Sequence, residues 1–162
     1  MSKPLTEHSM NLTIPQFGIE IPGCDYVLRP GSYGVIRNQS GGVAVVFTPL
    51  GVFLPGGGRE AGESDEAALL REVMEECGLH IQISHRIGVA DELVFAKNEQ
   101  CYFRKRSIFF AAELAADAPL MSTEPDHRLL WLPVGDALQQ LHHESQRWAL
   151  SASAGSSGVI LQ

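Results

Sequence analysis

The segment that most restricts what this chain can become runs from Leu54 to Leu79. It opens as a glycine-rich loop, Leu54-Pro-Gly-Gly-Gly-Arg-Glu-Ala-Gly-Glu63, and passes directly into Ser64-Asp65-Glu66. A serine followed by two acids suits a helix start: the hydroxyl takes an unsatisfied backbone N–H, and the carboxylates meet the positive end of the helix dipole. Gly78 stands where a left-handed residue would end that helix. Together these signals predict a helix over Asp65–Cys77. At about 100° per residue, Leu70, Val73, Met74 and Cys77 form one apolar face. Glu72, Glu75 and Glu76 gather within about 100° of one another on nearly the opposite face.

The chain's charge is concentrated in the same place. Its 162 residues carry 19 acids against 12 Lys plus Arg, a formal net charge of −7. Seven of those acids lie between Glu60 and Glu76, with Arg71 as the one base among them, while the remainder is close to neutral. Three carboxylates on one helix face repel one another by about a few tenths of a kcal/mol per close pair. A solvated acidic face would usually intersperse lysines, and this helix has none. The alternative is a set of hard oxygen donors arranged for a divalent cation such as Mg²⁺. The glycine-rich loop before the helix favours that account, as does Arg71, which lies beside Glu75 in projection and can hold Glu63 or Glu75. The overall acid excess argues against a nucleic-acid polymer or an anionic membrane as partner, since both are bound through Lys and Arg. A small phosphorylated substrate remains compatible with it.

Length suits one domain, and 44% hydrophobic residues can build a core. We expect residues 1–12 to form a flexible lead-in, residues 13–150 the domain, and residues 151–162 a Ser/Gly-rich tail that is either flexible or packed. Strands are expected at Ser32–Ile36, Val43–Phe47 and Val52–Leu54, near His80–Val89, at Tyr102–Glu113 and at Leu129–Leu132, from short β-branched and aromatic runs between turn residues. Ala115–Pro125 reads as a loop, and Val134–Leu150 as a second amphipathic helix. Three scattered cysteines without a Cys-x-x-Cys pair suggest reduced thiols. With no signal-peptide pattern or long apolar run, a cytoplasmic protein is the expectation.

Gly57, five residues, Glu63, seven residues, then Arg71-Glu72-Val73-Met74-Glu75-Glu76-Cys77-Gly78-Leu79 resembles the Nudix box, with all nine specified positions filled across 23 residues. The resemblance extends more weakly to the preceding strands, to Trp131-Leu132-Pro133 and to the C-terminal helix. It implies an α/β fold, an α/β/α sandwich around a mixed β-sheet, and hydrolysis of a nucleoside diphosphate linked to another moiety. Carried over by position, Glu72, Glu75 and Glu76, with the Gly57 carbonyl, would bind Mg²⁺ or Mn²⁺, and Arg71 and Glu63 would orient the carboxylates. A homodimer is compatible with this fold class. The alternative within the family is a non-catalytic nucleotide-binding module with a regulatory role, disfavoured because such modules typically lose box carboxylates.

Members of the family often recruit a further acid from a loop before the last strand. Glu124 and Asp126, in Ser-Thr-Glu-Pro-Asp-His127, are best placed for this, followed by Glu99. Arg104-Lys105-Arg106 is the one basic cluster. In a strand Arg104 and Arg106 share one face and Lys105 the other. They could meet phosphates while Tyr102 or Phe103 stacks a base, or they could simply be a charged edge that discourages strand pairing. His142-His143-Glu144 lies in the last helix without a second metal-binding cluster, and Trp148 reads as core.

Overall fold

Apolar residues on both faces of the central strands decide the architecture, because such strands must be covered from both sides. The computed structural model describes residues 13–115 and 122–155. The elements in chain order are β1 (Gln16–Phe17), β2 (Val27–Arg37), β3 (Val43–Thr48), β4 (Gly51–Phe53), β5 (Gly56–Gly58), α1 (Asp65–Cys77), β6 (Ile81–Ala96), β7 (Cys101–Leu114), β8 (Arg128–Leu132), α2 (Val134–Gln140) and α3 (Glu144–Gly155). The sheet runs β1-β6-β7-β2-β3-β4, with β5 attached to β2 and β8 to β3. The β1–β6 and β2–β7 pairs are parallel, while β2–β3 and β6–β7 are antiparallel, so the sheet is mixed.

Alternation along the strands sorts two cores. Val35, Val43, Val45 and Phe109 face Ala137, Leu141, Ala149 and Leu150 of the C-terminal segment. Their neighbours Ile36, Ala44, Val46, Ile108 and Phe110 face Leu69, Val73 and Cys77 of α1. The result is the expected α/β/α sandwich.

α1 has the expected bounds: Ser64 Oγ accepts the Ala67 N–H at 3.1 Å, and Gly78 closes the helix at φ 63°, donating to Met74 O at 3.0 Å. Its buried face differs from the expected one. Ala68, Leu69 and Val73 are fully buried, whereas Leu70 is 44% exposed. The helix is thus turned by about a quarter of its circumference toward Glu72 and Glu76, and Glu76 is only 7% exposed. β5, which α1 lies against, consists of three glycines and leaves room for those carboxylates.

Two further expectations are corrected. β2 begins at Val27, because Val27, Leu28 and Arg29 pair in parallel with Phe103, Arg104 and Lys105. The segment Val134–Leu150 is two helices, not one. Leu141 leaves helical geometry at ψ 127°, and the His142 N–H donates to Val52 O at 2.9 Å. The carboxylate of Glu92 then receives the Glu144 and Ser145 N–H groups, each at 3.2 Å, and so caps α3. Ser151–Gly155 are the last residues of α3. The expected lead-in 1–12, residues 116–121 of the expected loop and tail residues 156–162 lie outside the described residues. Among the described residues no helix is long and apolar enough to cross a membrane.

Candidate active site

Glu72 and Glu76, one turn apart on α1, press against the glycine backbone of β5. A Cβ on Gly57 would stand 2.5 Å from Cδ of Glu72, so this backbone approaches the carboxylate as only glycine allows. The Gly56 N–H donates to Glu76 Oε1 at 2.9 Å. His127 Nδ1 lies 3.1 Å from Glu76 Oε2 and 3.3 Å from Glu124 Oε2. Burial pushes the Glu76 carboxyl well above the usual carboxylate range, against the Gly56 N–H and the imidazole. Burial also raises Glu72, with Arg71 opposing.

Arg71 ties these acids to the loop. Its Nε and Nη2 reach the two oxygens of Glu63 at 2.7 and 3.0 Å, a bidentate pair. Nη2 also donates to Gly58 O at 3.0 Å, and Nη1 donates to Glu72 at 2.9 Å and Glu75 at 3.3 Å. The Arg71 guanidinium and the Glu60 N–H hold the Glu63 carboxyl down to about 2. One arginine therefore spans the loop and two turns of helix.

The loop before β8 docks on the end of the same helix. Thr123 donates its N–H and hydroxyl to Glu75 O at 2.9 and 3.0 Å, and Ser122 Oγ donates to it at 3.1 Å. This seats Glu124 beside His127, whereas Asp126 is exposed. Glu99 is elsewhere, on the β6–β7 turn, paired to Arg29 at 3.1 and 2.9 Å.

Donor chemistry here suits a hard divalent cation: oxygen ligands, two of them carboxylates that burial leaves wanting positive charge, beside a backbone without a Cβ. Among the described residues, no three His, Cys, Asp or Glu side chains converge as a ready-made metal cage. Arg71 Nη1 stands between Glu72 and Glu75, and His127 takes one oxygen of Glu76. Those are the positions a cation would contest.

A cleft of about 860 Å³ opens from Glu76 and His127 past Tyr33 and Phe103 to His142 and His143. Here the structure corrects the expected substrate residues. Phe103 lines the cleft, its ring 3.7 Å beneath the Arg29 guanidinium. Arg104 and Arg106 point to the opposite face of β7, where Arg106 grips Asp91 twice at 2.8 Å and Arg104 approaches it at 3.4 Å. Tyr102 packs on Tyr26 and Phe95 outside the lining. Lys105, the middle member, faces the cleft. Asp91 is only 3% exposed, and that buried carboxylate draws both arginines to its side of the sheet.

Residues 27–152 match the NUDIX domain family model, more than half of the chain. The chain belongs to the Nudix family. A Bacillus subtilis (strain 168) protein provisionally named 8-oxo-dGTP diphosphatase is 34% identical over 76 residues, 45% of this chain and 50% of the relative. The match thus spans about half the length of that relative. Among solved structures, a NUDIX hydrolase from Nitrosomonas europaea superimposes with a TM-score of 0.65 at 18% identity, covering 84% of this chain and 97% of the other. The MutT NUDIX hydrolase from Burkholderia pseudomallei gives a TM-score of 0.59 at 25% identity, covering 78% and 98%.

The structure joins Arg71 to Glu63, Glu72 and Glu75 and sets Glu76 against the Gly56 N–H; of the residues around them, sequence reasoning singles out Glu124 and Phe103 but not His127 or Glu92. His127 could have been suspected from its place three residues after Glu124. Lys105 was visible only as the odd member of an alternating trio. Glu92 and its partner His143 are 51 residues apart, and no local pattern joins them.

Proposed function

We propose that this Nudix domain hydrolyses a pyrophosphate bond in a nucleoside diphosphate linked to another moiety, with dependence on Mg²⁺ or Mn²⁺. The observation that carries this reading is the pair Glu72 and Glu76, packed on side-chain-free backbone, with Glu76 lining a cleft large enough for a nucleotide. Glu72 and Glu76, with Glu75 and the Gly57 carbonyl, would hold the ion, which when bound would screen phosphate oxygens and activate a water. Arg71 and Glu63 fix the helix acids to the loop, so that the carboxylates need little rearrangement when substrate enters. His127 holds one oxygen of Glu76 and keeps Glu124 nearby. A water attacks one phosphorus of the diphosphate, and its proton passes to a carboxylate among Glu72, Glu75 and Glu124. The bridging P–O bond then breaks, its electron pair leaving with the departing phosphate group. The unpaired thiols of Cys24, Cys77 and Cys101 support a reducing, cytoplasmic setting.

The test is a panel of nucleotides assayed with Mg²⁺, Mn²⁺ or chelator, scoring phosphate and pyrophosphate release. The name of the B. subtilis relative puts oxidised and unmodified dGTP first, followed by dinucleoside polyphosphates and nucleotide sugars. Metal-dependent release from at least one of them is expected. Tight nucleotide binding without turnover would overturn the hydrolase reading in favour of a binding module.

A further inference from the structure

The cleft borders a second polar constellation, built from residues outside the Nudix box. Glu92 enters from β6 and is 8% exposed. It accepts the Ser145 hydroxyl and the Glu144 and Ser145 N–H groups at the start of α3, and lies 3.3 Å from His143 Nδ1. On the other side of the imidazole, His143 Nε2 lies 3.3 Å from Lys105 Nζ. A carboxylate on one side of the ring and an ammonium on the other fit one tautomer, with Nδ1–H facing the Glu92 carboxylate and the Nε2 lone pair facing the lysine ammonium. Burial lowers the His143 pKa and favours that neutral ring.

The consequence is a lysine aimed into the cleft without a carboxylate partner in hydrogen-bond contact. Of the other cations nearby, Arg29 is committed to Glu99, Arg104 and Arg106 to Asp91, and Arg71 to its acids, while Lys97 stands exposed on the β6–β7 turn at the cleft rim. The carboxylate closest to this group in the network, Glu92, is already saturated by α3 and His143. Burial lowers the pKa of Lys105, with Arg29 adding to it and Glu92 opposing, so an incoming anion would restore to the ammonium what desolvation removes. The Tyr33 ring lies 5.8 Å from Nζ and closes one side.

We propose that Lys105, held by the Glu92–His143 pair, binds a phosphate oxygen of the nucleotide in the cleft. Glu92 and His143 are positioning residues, and Lys105 makes the contact. This assignment rests on the cleft being a nucleotide site, and the experiment separates the two.

Binding of the α,β-methylene diphosphates of adenosine, guanosine, cytidine and uridine is measured by calorimetry with Mg²⁺ and with chelator, and the tightest is compared with its parent nucleoside. Lys105→Met should weaken diphosphate binding by about tenfold to a hundredfold, as expected for a charge-assisted hydrogen bond, and leave nucleoside binding unchanged. Lys105→Arg should retain most of the affinity. His143→Leu should reproduce the selective loss, while His143→Gln, which keeps an acceptor and a donor, should rescue it; a merely structural histidine would weaken nucleoside and diphosphate alike. Wild-type binding that Lys105→Met leaves intact, or equal losses for nucleoside and diphosphate, would overturn the lysine assignment alone. Wild-type protein that binds none of the four diphosphates would overturn the nucleotide site and the lysine assignment with it.

Discussion

Replacing Gly57 with alanine separates the position of Glu72 from the stability of the fold. Gly57 is not among the glycines with positive φ, so alanine fits its backbone. The obstacle is the side chain: the new methyl carbon would lie 2.5 Å from Cδ of Glu72 and 2.6 Å from its Oε2. Non-bonded carbons settle at about 3.5–4.0 Å, so the carboxylate must retreat by about 1 Å. It can do so cheaply, because the clash involves the end of a flexible chain. What is lost is the Arg71–Glu72 ion pair, whose side chains are 25% and 16% exposed, and such a pair is worth about 1 kcal/mol or less. For a domain of this size that corresponds to a fall in Tm of about 2–4 °C. A 1 Å displacement at a reacting centre can cost about a hundredfold in rate. Gly57→Ala should therefore lose about a hundredfold in kcat and only a few degrees in Tm, read by coupled phosphate release and thermal denaturation. Near-wild-type turnover would show that the placement of Glu72 does not matter. A collapse in Tm would show that the helix and β5 cannot yield as supposed.

Other outcomes follow from the same structure. Glu76→Gln should reduce turnover by orders of magnitude while circular dichroism and Tm stay close to wild type, and a rate within a few-fold of wild type would remove Glu76 from the machinery. Glu92 is held down to about 2 despite burial, through its bonds to His143, Ser145 and the α3 backbone. A depressed carboxylate stabilises above its unfolded pKa and loses that contribution as pH falls through the folded one. The excess stability of wild type over Glu92→Gln, on the order of 3 kcal/mol at neutral pH, should therefore be lost between about pH 4.5 and 2; a constant difference down to pH 2 in urea melts would contradict the pairing. Arg106→Ala strips the principal partner from buried Asp91 and should cost about 2–4 kcal/mol with KM little changed, and the reverse pattern would return this arginine to the substrate. Glu124→Gln should lower kcat and Asp126→Asn should leave it within about twofold, since only Glu124 sits against His127; equal effects would refute that distinction.

Much of the site was legible before any coordinates, because its instructions are local. Ser64 and Gly78 set the two ends of α1 through bonds that reach only three or four residues, and Arg71 finds Glu63 and Glu75 on the loop and turn beside it. The same locality explains the misreading of the apolar face. Leu70 and Met74 are as apolar as Leu69 and Val73, and only the sheet's choice of Ala68, Leu69 and Val73 turned Glu76 inward.

The sequence by itself determined the helix, its acid-rich turns, the apolar strand runs and the spacing that marks the Nudix family. Tertiary structure decided which side of β7 faces the cleft. Asp91 on β6 draws Arg104 and Arg106 one way, and Lys105 is left opposite His143. It also broke the last helical segment in two, since the cap on α3 is a carboxylate from a strand 52 residues earlier. Capping, periodicity and spacing act over a few residues and can be read along the chain. The partners of a buried charge are chosen by proximity in the folded sheet, and that proximity exists only once β6, β7 and α3 have been brought together.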